Sequence, residues 1–342
     1  MSRLDKIKGI LALCAIGDAM GSVTENLSFD QIREVFGGPI ETFRKPGKTA
    51  FALGNEAGEV TDDFSQIYFI LQEVLKNDGI LDRDSVIRAI LKWSEVPKYF
   101  DRFAGPTTRG AIEMFKDPNH EMKPLPGAVA VDYASKATNG AAMKIAPAAI
   151  LNPGNIEGAI DASVTISQVT HDNSLAIIGA AAIAAGAAAG MQENATVDEV
   201  LYAGLYGAQR ATVLAKEKSI VVAGSSVIER MKLAMSIASG YEPKEVKLKK
   251  LSQIIGSGLL ISEAVPCAFG ILAMNKDNAL QAVIDAVNVG YDTDTVATIV
   301  GTIAGPFADF SDSRLISLFE QVQKANDFNL EKLASDINSI IH

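Results

Sequence analysis

The sequence predicts an all-α protein that forms a single domain over residues 1–342. Apolar side chains recur along most of the chain with the spacing of a helix, and no segment sustains the alternation of period two that a half-buried strand requires. With 48% hydrophobic residues, the chain has enough apolar material to bury a large core. No internal repeat or low-complexity tail interrupts this pattern.

The first predicted helix carries a carboxylate in line with its apolar side chains. Ile7 and Leu11 share one face, and helical spacing brings Asp18 onto the same face. A carboxylate buried there needs hydrogen-bond partners or a cation. Alternatively, the helix ends by Gly17, and Asp18 caps the loop that follows. The residues leave both interpretations open.

Helices are predicted for most of the remaining chain. Ser28–Gln31 matches a capping box and starts a short helix that ends at Gly37–Gly38. Residues 38–60 are rich in Gly, Pro and charge, and residues 117–139 contain three prolines, so both stretches are predicted as loops. Further predicted helices start at Thr61, Asp84 and Gly110, run over 142–150 with a kink at Pro147, and cover 156–168, 175–191, 197–217, 225–239, 258–275, 279–289, 295–305, 313–324 and 330–341.

Two acidic clusters stand at the starts of apolar helices. Asp292–Thr295 lies in a tight link after Gly290, which is the predicted C-cap of the preceding helix. Far upstream, Thr61–Asp63 opens another apolar helix. Asp and Thr are good N-caps, but capping accounts for only one or two of these side chains.

The charge of these clusters predicts a cation site if they meet in space. Asp62, Asp63, Asp292 and Asp294 would then place four carboxylates together. Two like charges about 4 Å apart repel by about 4 kcal/mol at an effective dielectric of about 20. Two divalent cations would balance four carboxylates, and oxygen ligands suit Mg²⁺, Mn²⁺ or Ca²⁺ better than Zn²⁺.

Composition argues against several kinds of partner. The net charge is −10 without a basic run, so the phosphate-neutralising surface of a nucleic-acid-binding protein is not predicted. The apolar run Leu175–Met191 is mostly Ala and Gly and is short for a membrane span. Cys14 and Cys267 lie in apolar helical segments, which is typical of buried thiols in a reduced, cytoplasmic protein. The sequence does not indicate an oligomeric state.

Two single features, a second interpretation of the Asp292 motif and His171, suggest other functional roles. Asp292–Val296 matches the Asp-x-Asp-x-Thr/Val pattern of haloacid-dehalogenase-like phosphatases, in which the first Asp attacks a phosphate and follows a buried strand. Here a predicted helix precedes the motif instead. His171, between Thr170 and Asp172 at a helix start, is a candidate site residue, although a lone histidine is more often structural.

The motifs together resemble a known family. In chain order they are Gly17–Gly21 with Glu25, Thr61–Asp63, Thr138–Met143, Thr170-His171 and Gly290–Thr295. This combination resembles the ADP-ribosylglycohydrolase family, which includes the dinitrogenase reductase-activating glycohydrolases, over nearly the whole chain. The resemblance implies a compact orthogonal multi-helix bundle with two divalent cations, Mg²⁺ or Mn²⁺, at the bottom of a cleft.

The resemblance also implies roles for individual residues. The metal ligands would be Thr61, Asp62, Asp63, Asp292, Asp294 and Thr295. Asp294 would bridge both ions, and Glu25 matches a glutamate near the metals that helps to govern the entry of water or substrate. The predicted catalytic residues are Glu25, Asp63 and Asp294. The predicted substrate-binding residues are Asn139, Gly140, Met143 and His171.

The implied activity is hydrolysis of an N- or O-glycosidic bond at C1 of a ribosyl group. The first expected substrate is an ADP-ribosylated protein, and the alternative is a small ribosyl compound such as a nucleoside. Three departures bear against an ADP-ribosyl-arginine specificity: Tyr291 replaces the second Gly of the usual Gly-Gly-Asp, Lys144 replaces the usual Arg, and Phe103 stands where the arginine-type hydrolases carry an acid. A non-catalytic family member would predict degraded metal ligands, and these are intact here.

Overall fold

The computed structural model describes residues 1–48, 50–117, 119 and 131–341. Within these ranges the chain is predominantly helical and forms no β-sheet; Thr138 with Leu260 and Asn173 with Ile220 make isolated bridges. The all-α prediction is therefore confirmed. Much of the predicted loop over 117–139 lies outside the described residues.

The described residues form seventeen α-helices and four shorter turns of helix. The α-helices are α1 (Arg3–Gly21), α2 (Phe29–Phe36), α3 (Asp62–Lys76), α4 (Arg83–Ser94), α5 (Pro97–Phe103), α6 (Pro106–Lys116), α7 (Ala146–Ile150), α8 (Ile156–Thr170), α9 (Ser174–Gly190), α10 (Val197–Lys218), α11 (Val227–Ala238), α12 (Lys244–Lys250), α13 (Ile261–Met274), α14 (Ala279–Val287), α15 (Thr293–Ala304), α16 (Ser313–Asn326) and α17 (Leu330–Ile340). The 3₁₀ turns are Ala134–Lys136, Asn139–Ala141 and Gly305–Phe307, and Leu251–Ile255 is a π-helical turn.

Helix α1 forms the centre of the fold. Its side chains are buried from Gly9 to its end, and it packs along α15 and against α14, α16 and α17. The α1–α15 contact requires glycine, because a Cβ on Gly17 would lie 2.6 Å from the carbonyl oxygen of Ala297. Likewise, a Cβ on Gly301 would lie 2.6 Å from the backbone nitrogen of Cys14. The two backbones therefore touch, which fixes the N-terminus of α15 beside the last turn of α1.

A second packing centre is the alanine-rich helix α9. It lies between α8 and α10, and its small side chains are buried, as the sequence predicts for a tightly packed core helix. Side chains of α8, α9 and α10 make a separate small apolar cluster that includes Ile160, Ile177 and Leu214. None of the helices in the described ranges combines the length and the apolarity needed to cross a membrane.

Two differences from the predicted helices matter for the site. Helix α6 begins at Pro106 rather than Gly110, because proline fits the first helical position, where its missing N–H is not needed. The predicted kinked helix over 142–150 is wrong. A 3₁₀ turn at Asn139–Ala141 is followed by the five-residue helix α7, and Pro147 lies at the start of α7.

Candidate active site

A cavity of about 340 Å³ opens beside the N-termini of α3 and α15. Helix α1 contacts both of these helices and so brings their starts together. The predicted site residues that line the cavity are Glu25, Asp62, Asp63, Asn139, Gly140, Met143, His171, Asp292, Asp294 and Thr295. Two acidic clusters from distant parts of the chain therefore meet at one cavity.

The start of α3 is held in place by Asp18. The Asp18 carboxylate accepts hydrogen bonds from the backbone N–H of Thr61 at 2.9 and 3.0 Å, from the Thr61 hydroxyl at 2.8 Å and from the backbone N–H of Phe64 at 2.9 Å. Because α1 continues to Gly21, Asp18 lies within the helix and is fully buried. Of the two sequence interpretations, the buried and partnered carboxylate is correct. Thr61 is buried behind the cavity and does not line it.

The start of α15 is arranged differently. Asp292 occupies the N-cap position but makes no side-chain cap, and its Oδ2 instead accepts a hydrogen bond from the Asn139 amide at 2.6 Å. The Thr293 hydroxyl donates to the carbonyl oxygen of Gly21 at 2.9 Å, which ties α15 to α1. The capping interpretation is therefore wrong for Asp292. Its carboxylate faces the cavity instead of covering the helix end.

The link before α15 has an unusual backbone. Helix α14 ends at Val287, and Gly290 is not its cap but lies in the link with a φ of +96°. Tyr291 follows with a φ of +68°. The Ser257 hydroxyl donates to the carbonyl oxygen of Gly290 at 2.6 Å, and the backbone N–H of Asp292 donates to the carbonyl oxygen of Ser257 at 3.0 Å. This turn directs Asp292 into the cavity.

The carboxylates form two groups that share one member. One oxygen each from Asp18, Asp63 and Asp294 lies within 4.8 Å of the others. One oxygen each from Glu25, Asp292 and Asp294 meets the same limit. Asp294 belongs to both groups, as expected of a residue that could bridge two ions.

Burial and mutual repulsion disfavour the charged forms of these acids. Burial, followed by the charges of Asp292 and Asp62, raises the pKa of Glu25 to about 9. Burial and then the charge of Asp18 raise the pKa of Asp62 to about 7. The pKa values of Asp63 and Asp294 are also raised well above the ordinary range, first by burial and then by neighbouring carboxylates. Without added positive charge, the cluster therefore holds protons at neutral pH.

One buried ammonium lies near the acids. Lys144 is fully buried, and its Nζ donates a hydrogen bond to the carbonyl oxygen of Gly140. Burial lowers the pKa of Lys144 to about 8, against the opposing effect of Asp62 and Asp63. The ammonium thus holds the turn that carries Gly140 and offsets part of the negative charge.

The predicted substrate-binding residues line one side of the cavity. Asn139 joins this side to Asp292 through its amide, and its backbone N–H donates to the carbonyl oxygen of Leu259 at 2.8 Å. The His171 ring lies 2.9 Å from the Thr138 hydroxyl through Nε2 and 2.7 Å from the Thr170 hydroxyl through Nδ1. Burial lowers the pKa of His171 well below its ordinary value, so the ring is neutral.

Several cavity-lining residues were not predicted as site residues. They include Asn26, Phe51, Thr107, Thr108, Thr138 and Leu259, together with Tyr291 and Phe103, which the sequence marks only as departures from the family pattern. Most lie in loops or at helix ends, where apolar periodicity gives no signal. Asp18 was also missed as part of the acidic groups, although helical spacing indicated that it faces inward.

The acidic cavity fits a hard divalent cation. Glu25 Oε2 and Asp63 Oδ1 are buried, and neither has a hydrogen-bond partner among the described residues. Buried carboxylate oxygens without a partner are unfavourable unless a cation or proton offsets their charge. The donors are carboxylate and hydroxyl oxygens, which are the ligands that hard divalent cations prefer.

The phosphatase interpretation of Asp292–Val296 is not supported by the structure. That motif requires a buried β-strand directly before the first aspartate. Here α14 and the link with Gly290 and Tyr291 precede Asp292, and this part of the described chain contains no strand. Asp292 therefore lacks the structural setting of a phosphate-attacking aspartate.

The helical fold and the acid-lined cavity define an all-α protein with an oxygen-rich candidate active site. The sequence model of the ADP-ribosylglycohydrolase family matches residues 1–318. The chain therefore belongs to the ADP-ribosylglycohydrolase family, in agreement with the resemblance of its motifs.

Individual relatives are similar over most of their length. The uncharacterized protein YegU of Escherichia coli is 29% identical over 89% of this chain and 87% of its own. ADP-ribosylarginine hydrolase Tri1 of Pseudomonas putida is 28% identical over 88% of this chain and 70% of its own. ADP-ribosylhydrolase ARH3 of Homo sapiens is 24% identical over 89% of this chain and 85% of its own.

A solved structure supports the fold. A chain of an ADP-ribosylglycohydrolase-related protein complex superimposes with a TM-score of 0.69, covering 100% of this chain and 99% of that one. The sequence identity is 18%, so this likeness bears on the fold alone.

Proposed function

We propose that this protein is a metal-dependent hydrolase that cleaves an N- or O-glycosidic bond at C1 of a ribosyl group. The observation that carries the proposal is the meeting of the two acidic helix starts at one cavity, where Asp294 belongs to both carboxylate groups. Family membership supports a hydrolase of this class.

The proposed cofactors are two divalent cations, Mg²⁺ or Mn²⁺. They would be held by Thr61, Asp62, Asp63, Asp292, Asp294 and Thr295, which lie at or directly behind the cavity. Asp18 would support this set by fixing the start of α3. When bound, such ions supply positive charge that orients ribose hydroxyls and polarises an attacking water.

Glu25, Asp63 and Asp294 are the proposed catalytic residues. Glu25 lines the cavity, and its Oε2 has no hydrogen-bond partner among the described residues. Its pKa is raised by burial and by the charges of Asp292 and Asp62. Cations that offset those charges would lower this pKa, and the Glu25 carboxylate could then accept a proton from water. Asp63 and Asp294 line the acidic floor of the cavity and would orient the ribosyl group there.

The remaining proposed site residues would position the substrate. Asn139 and Gly140 form a tight turn. The Asn139 side-chain amide is held by its hydrogen bond to Asp292, and the Gly140 carbonyl oxygen is held by Lys144. Met143 would contribute an apolar contact, and the neutral His171 would line the cavity without adding charge. Preorganised contacts of this kind bring the anomeric carbon and the water together.

The favoured substrate is a protein or a small molecule that carries an ADP-ribosyl group. The names of two relatives, ADP-ribosylarginine hydrolase and ADP-ribosylhydrolase, support this class. A small ribosyl compound such as a nucleoside is the second candidate. It is favoured by Phe103, which lines the cavity where the arginine-type hydrolases carry an acid.

A substrate panel tests the proposal. ADP-ribosylated proteins, ADP-ribose derivatives and nucleosides would be incubated with the enzyme and Mg²⁺ or Mn²⁺, and ribosyl release measured by chromatography. We expect release from at least one class, loss of release after chelation, and recovery when the cation is restored. Full activity after exhaustive chelation would refute metal dependence, and no release from any class would refute the hydrolase assignment.

A further inference from the structure

Tyr291 has a backbone conformation that its side chain disfavours. Its φ of +68° lies in the left-handed region, where residues other than Gly, Asn and Asp are uncommon. A residue held in this region is strained and persists only when its surroundings enforce it. Glycine would adopt this φ without strain. A tyrosine here calls for a role of its side chain.

The backbone of Tyr291 is held from both sides. On one side, its N–H donates to the carbonyl oxygen of Leu27 at 2.8 Å, and its own carbonyl oxygen accepts from the N–H of Asn26 at 2.7 Å. On the other side, Ser257 binds the neighbouring Gly290 and Asp292. The backbone that carries the ring is therefore held by hydrogen bonds within the fold.

The ring of Tyr291 lies at the mouth of the acidic cavity. Tyr291 is 47% exposed and lines this cavity beside Asp292. The ring packs closely on Gly258, where only glycine fits, since a Cβ on Gly258 would lie 2.3 Å from Tyr291 Cε1. Among the described residues, no aromatic ring or cationic side chain stacks on Tyr291. The ring is thus packed against Gly258 and is not already engaged in stacking with a ring or cation among the described residues.

Two other aromatic rings line the same cavity. Phe51 is 54% exposed, and its centroid lies 6.1 Å from that of the buried Phe103 at an interplanar angle of 56°. The Arg102 guanidinium lies 4.7 Å from the Phe103 ring and steadies this pair. The cavity therefore combines an acidic floor with aromatic rings around it.

We propose that Tyr291 forms a stacking wall for a planar, nucleobase-like ring carried by the ribosyl substrate, with Phe51 and Phe103 completing the apolar surroundings. This inference rests on the proposed function, because it takes the acidic floor as the place of the ribose. Aromatic side chains that stack on a base strengthen binding without selecting its sequence identity, because every base has a π-face.

Two substrate classes share this chemistry. In a nucleoside the planar ring is the leaving group on C1, whereas in an ADP-ribosyl conjugate the ring is the adenine at the far end of the diphosphate. Binding of adenosine and of ADP-ribose, compared with D-ribose, separates the two. D-Ribose lacks a planar ring and reports on the acidic floor alone.

The test measures calorimetric affinities of these three probes, with Mg²⁺ or Mn²⁺ present, for the wild-type protein and for Tyr291→Phe and Tyr291→Gly. We expect Tyr291→Phe to keep wild-type affinities. Tyr291→Gly should weaken the binding of adenosine, of ADP-ribose or of both by about 5- to 100-fold, which corresponds to the loss of a stacking contact, and leave D-ribose unchanged. The ring-bearing probe whose binding weakens identifies the substrate class, a nucleoside or an ADP-ribosyl conjugate.

Two outcomes would overturn the inference. One is equal affinity of wild type and Tyr291→Gly for both ring-bearing probes, including the case in which neither probe binds. The other is an equal loss for D-ribose, which would indicate a deformed floor. Glycine suits the local φ, so the variant should fold; Tyr291→Asn, which also tolerates this φ, is the second variant if it does not. Tyr291-dependent ring binding without ribosyl release would leave the inference standing and refute the hydrolase proposal alone.

Discussion

The two acidic helix starts differ in how α1 holds them. At α3, the Asp18 carboxylate of α1 binds the N–H groups of Thr61 and Phe64. At α15, α1 contributes a glycine instead, because a Cβ on Gly21 would lie 2.6 Å from the backbone nitrogen of Asp294. One start is fixed by a buried charge and the other by close backbone contact.

This difference indicates that Asp18 supports the fold, whereas Asp294 acts in the candidate site. Asp18 uses its oxygens on the backbone of α3, so removing it should damage the fold first. One oxygen of Asp294 accepts a hydrogen bond from the adjacent N–H of Thr295, and Asp294 belongs to both carboxylate groups. Removing Asp294 should therefore reduce activity before it reduces stability. The following predictions test this division, beginning with the largest effect.

The largest expected effect is the loss of activity in Asp294→Asn. If Asp294 holds cations that stabilise the transition state, ribosyl hydrolysis should fall by at least about 1,000-fold, or about 4 kcal/mol. The metal-free variant should be no less stable than the metal-free wild type, since asparagine cannot carry the negative charge that burial and the neighbouring carboxylates disfavour at this position. Steady-state kinetics and denaturant unfolding measure the two effects.

Asp285→Asn is the matched control. Asp285 is also a buried acid, but it pairs with Lys244 at 2.7 Å and with Asn275 at 2.8 Å, away from the cavity. This variant should lose some stability and retain hydrolysis. The division would fail if both variants lost activity equally.

The next effect is the pH dependence of the metal-free protein. The pKa values of Asp18, Asp62 and Glu25 are raised to about 6, 7 and 9, chiefly by burial. The folded protein therefore holds protons that the unfolded chain has released, and the stability linked to them is lost as pH rises through these values. The unfolding free energy should fall between about pH 5 and pH 9.

Divalent cations should reverse that trend. Because they bind the deprotonated carboxylates, saturating Mg²⁺ or Mn²⁺ should raise the melting temperature more at high pH than at low pH. Differential scanning calorimetry with and without a chelator measures this. A metal-free protein that becomes more stable from pH 5 to pH 9 would contradict the account.

Asp18→Ala should mainly reduce stability. It leaves the buried N–H groups of Thr61 and Phe64 without their acceptor, and each unsatisfied group costs about 1–3 kcal/mol. Relief of repulsion among the acids offsets part of this, so a net loss of about 2–4 kcal/mol is expected in urea unfolding. A variant as stable as wild type would show that Asp18 does not support α3.

The smallest expected effect comes from Gly21→Ala. The added methyl group would press on the backbone of Asp294, and such overpacking costs about 1–3 kcal/mol. Cation affinity should weaken with it, as measured by calorimetry. The control is Gly110→Ala in α6, where a Cβ meets no atom within 4 Å and the change should stabilise the helix by about 0.5–1 kcal/mol. Equal effects of the two changes would argue against the close contact.

Much of the helical fold was predictable because buried helices impose a regular apolar spacing. The capping box at Ser28 and the long helices α9 and α10 were predicted close to their observed bounds. Two kinds of helix escaped. Helix α12 is rich in lysine and has little apolar periodicity, and α5 has only seven residues. The start of α6 was misplaced because Pro106 was assigned to a turn.

The acidic clusters of the candidate site were predictable, but their surroundings were not. Adjacent carboxylates at two helix starts are visible in the sequence, whereas the role of Asp18 depends on whether α1 continues past Gly17, which sequence left open. The contacts of Tyr291 with segments near Leu27 and Gly258 are tertiary and leave no local signal. Sequence therefore indicated the acids of the site, and the structure adds what holds them.

The most direct test of the central claim is anomalous diffraction from crystals of this protein grown with saturating Mn²⁺. The account predicts Mn²⁺ peaks between the carboxylates of Asp62 and Asp63 on α3 and those of Asp292 and Asp294 at the start of α15, with Asp294 in contact with two peaks. Crystals at saturating Mn²⁺ with no peak among these carboxylates would contradict it.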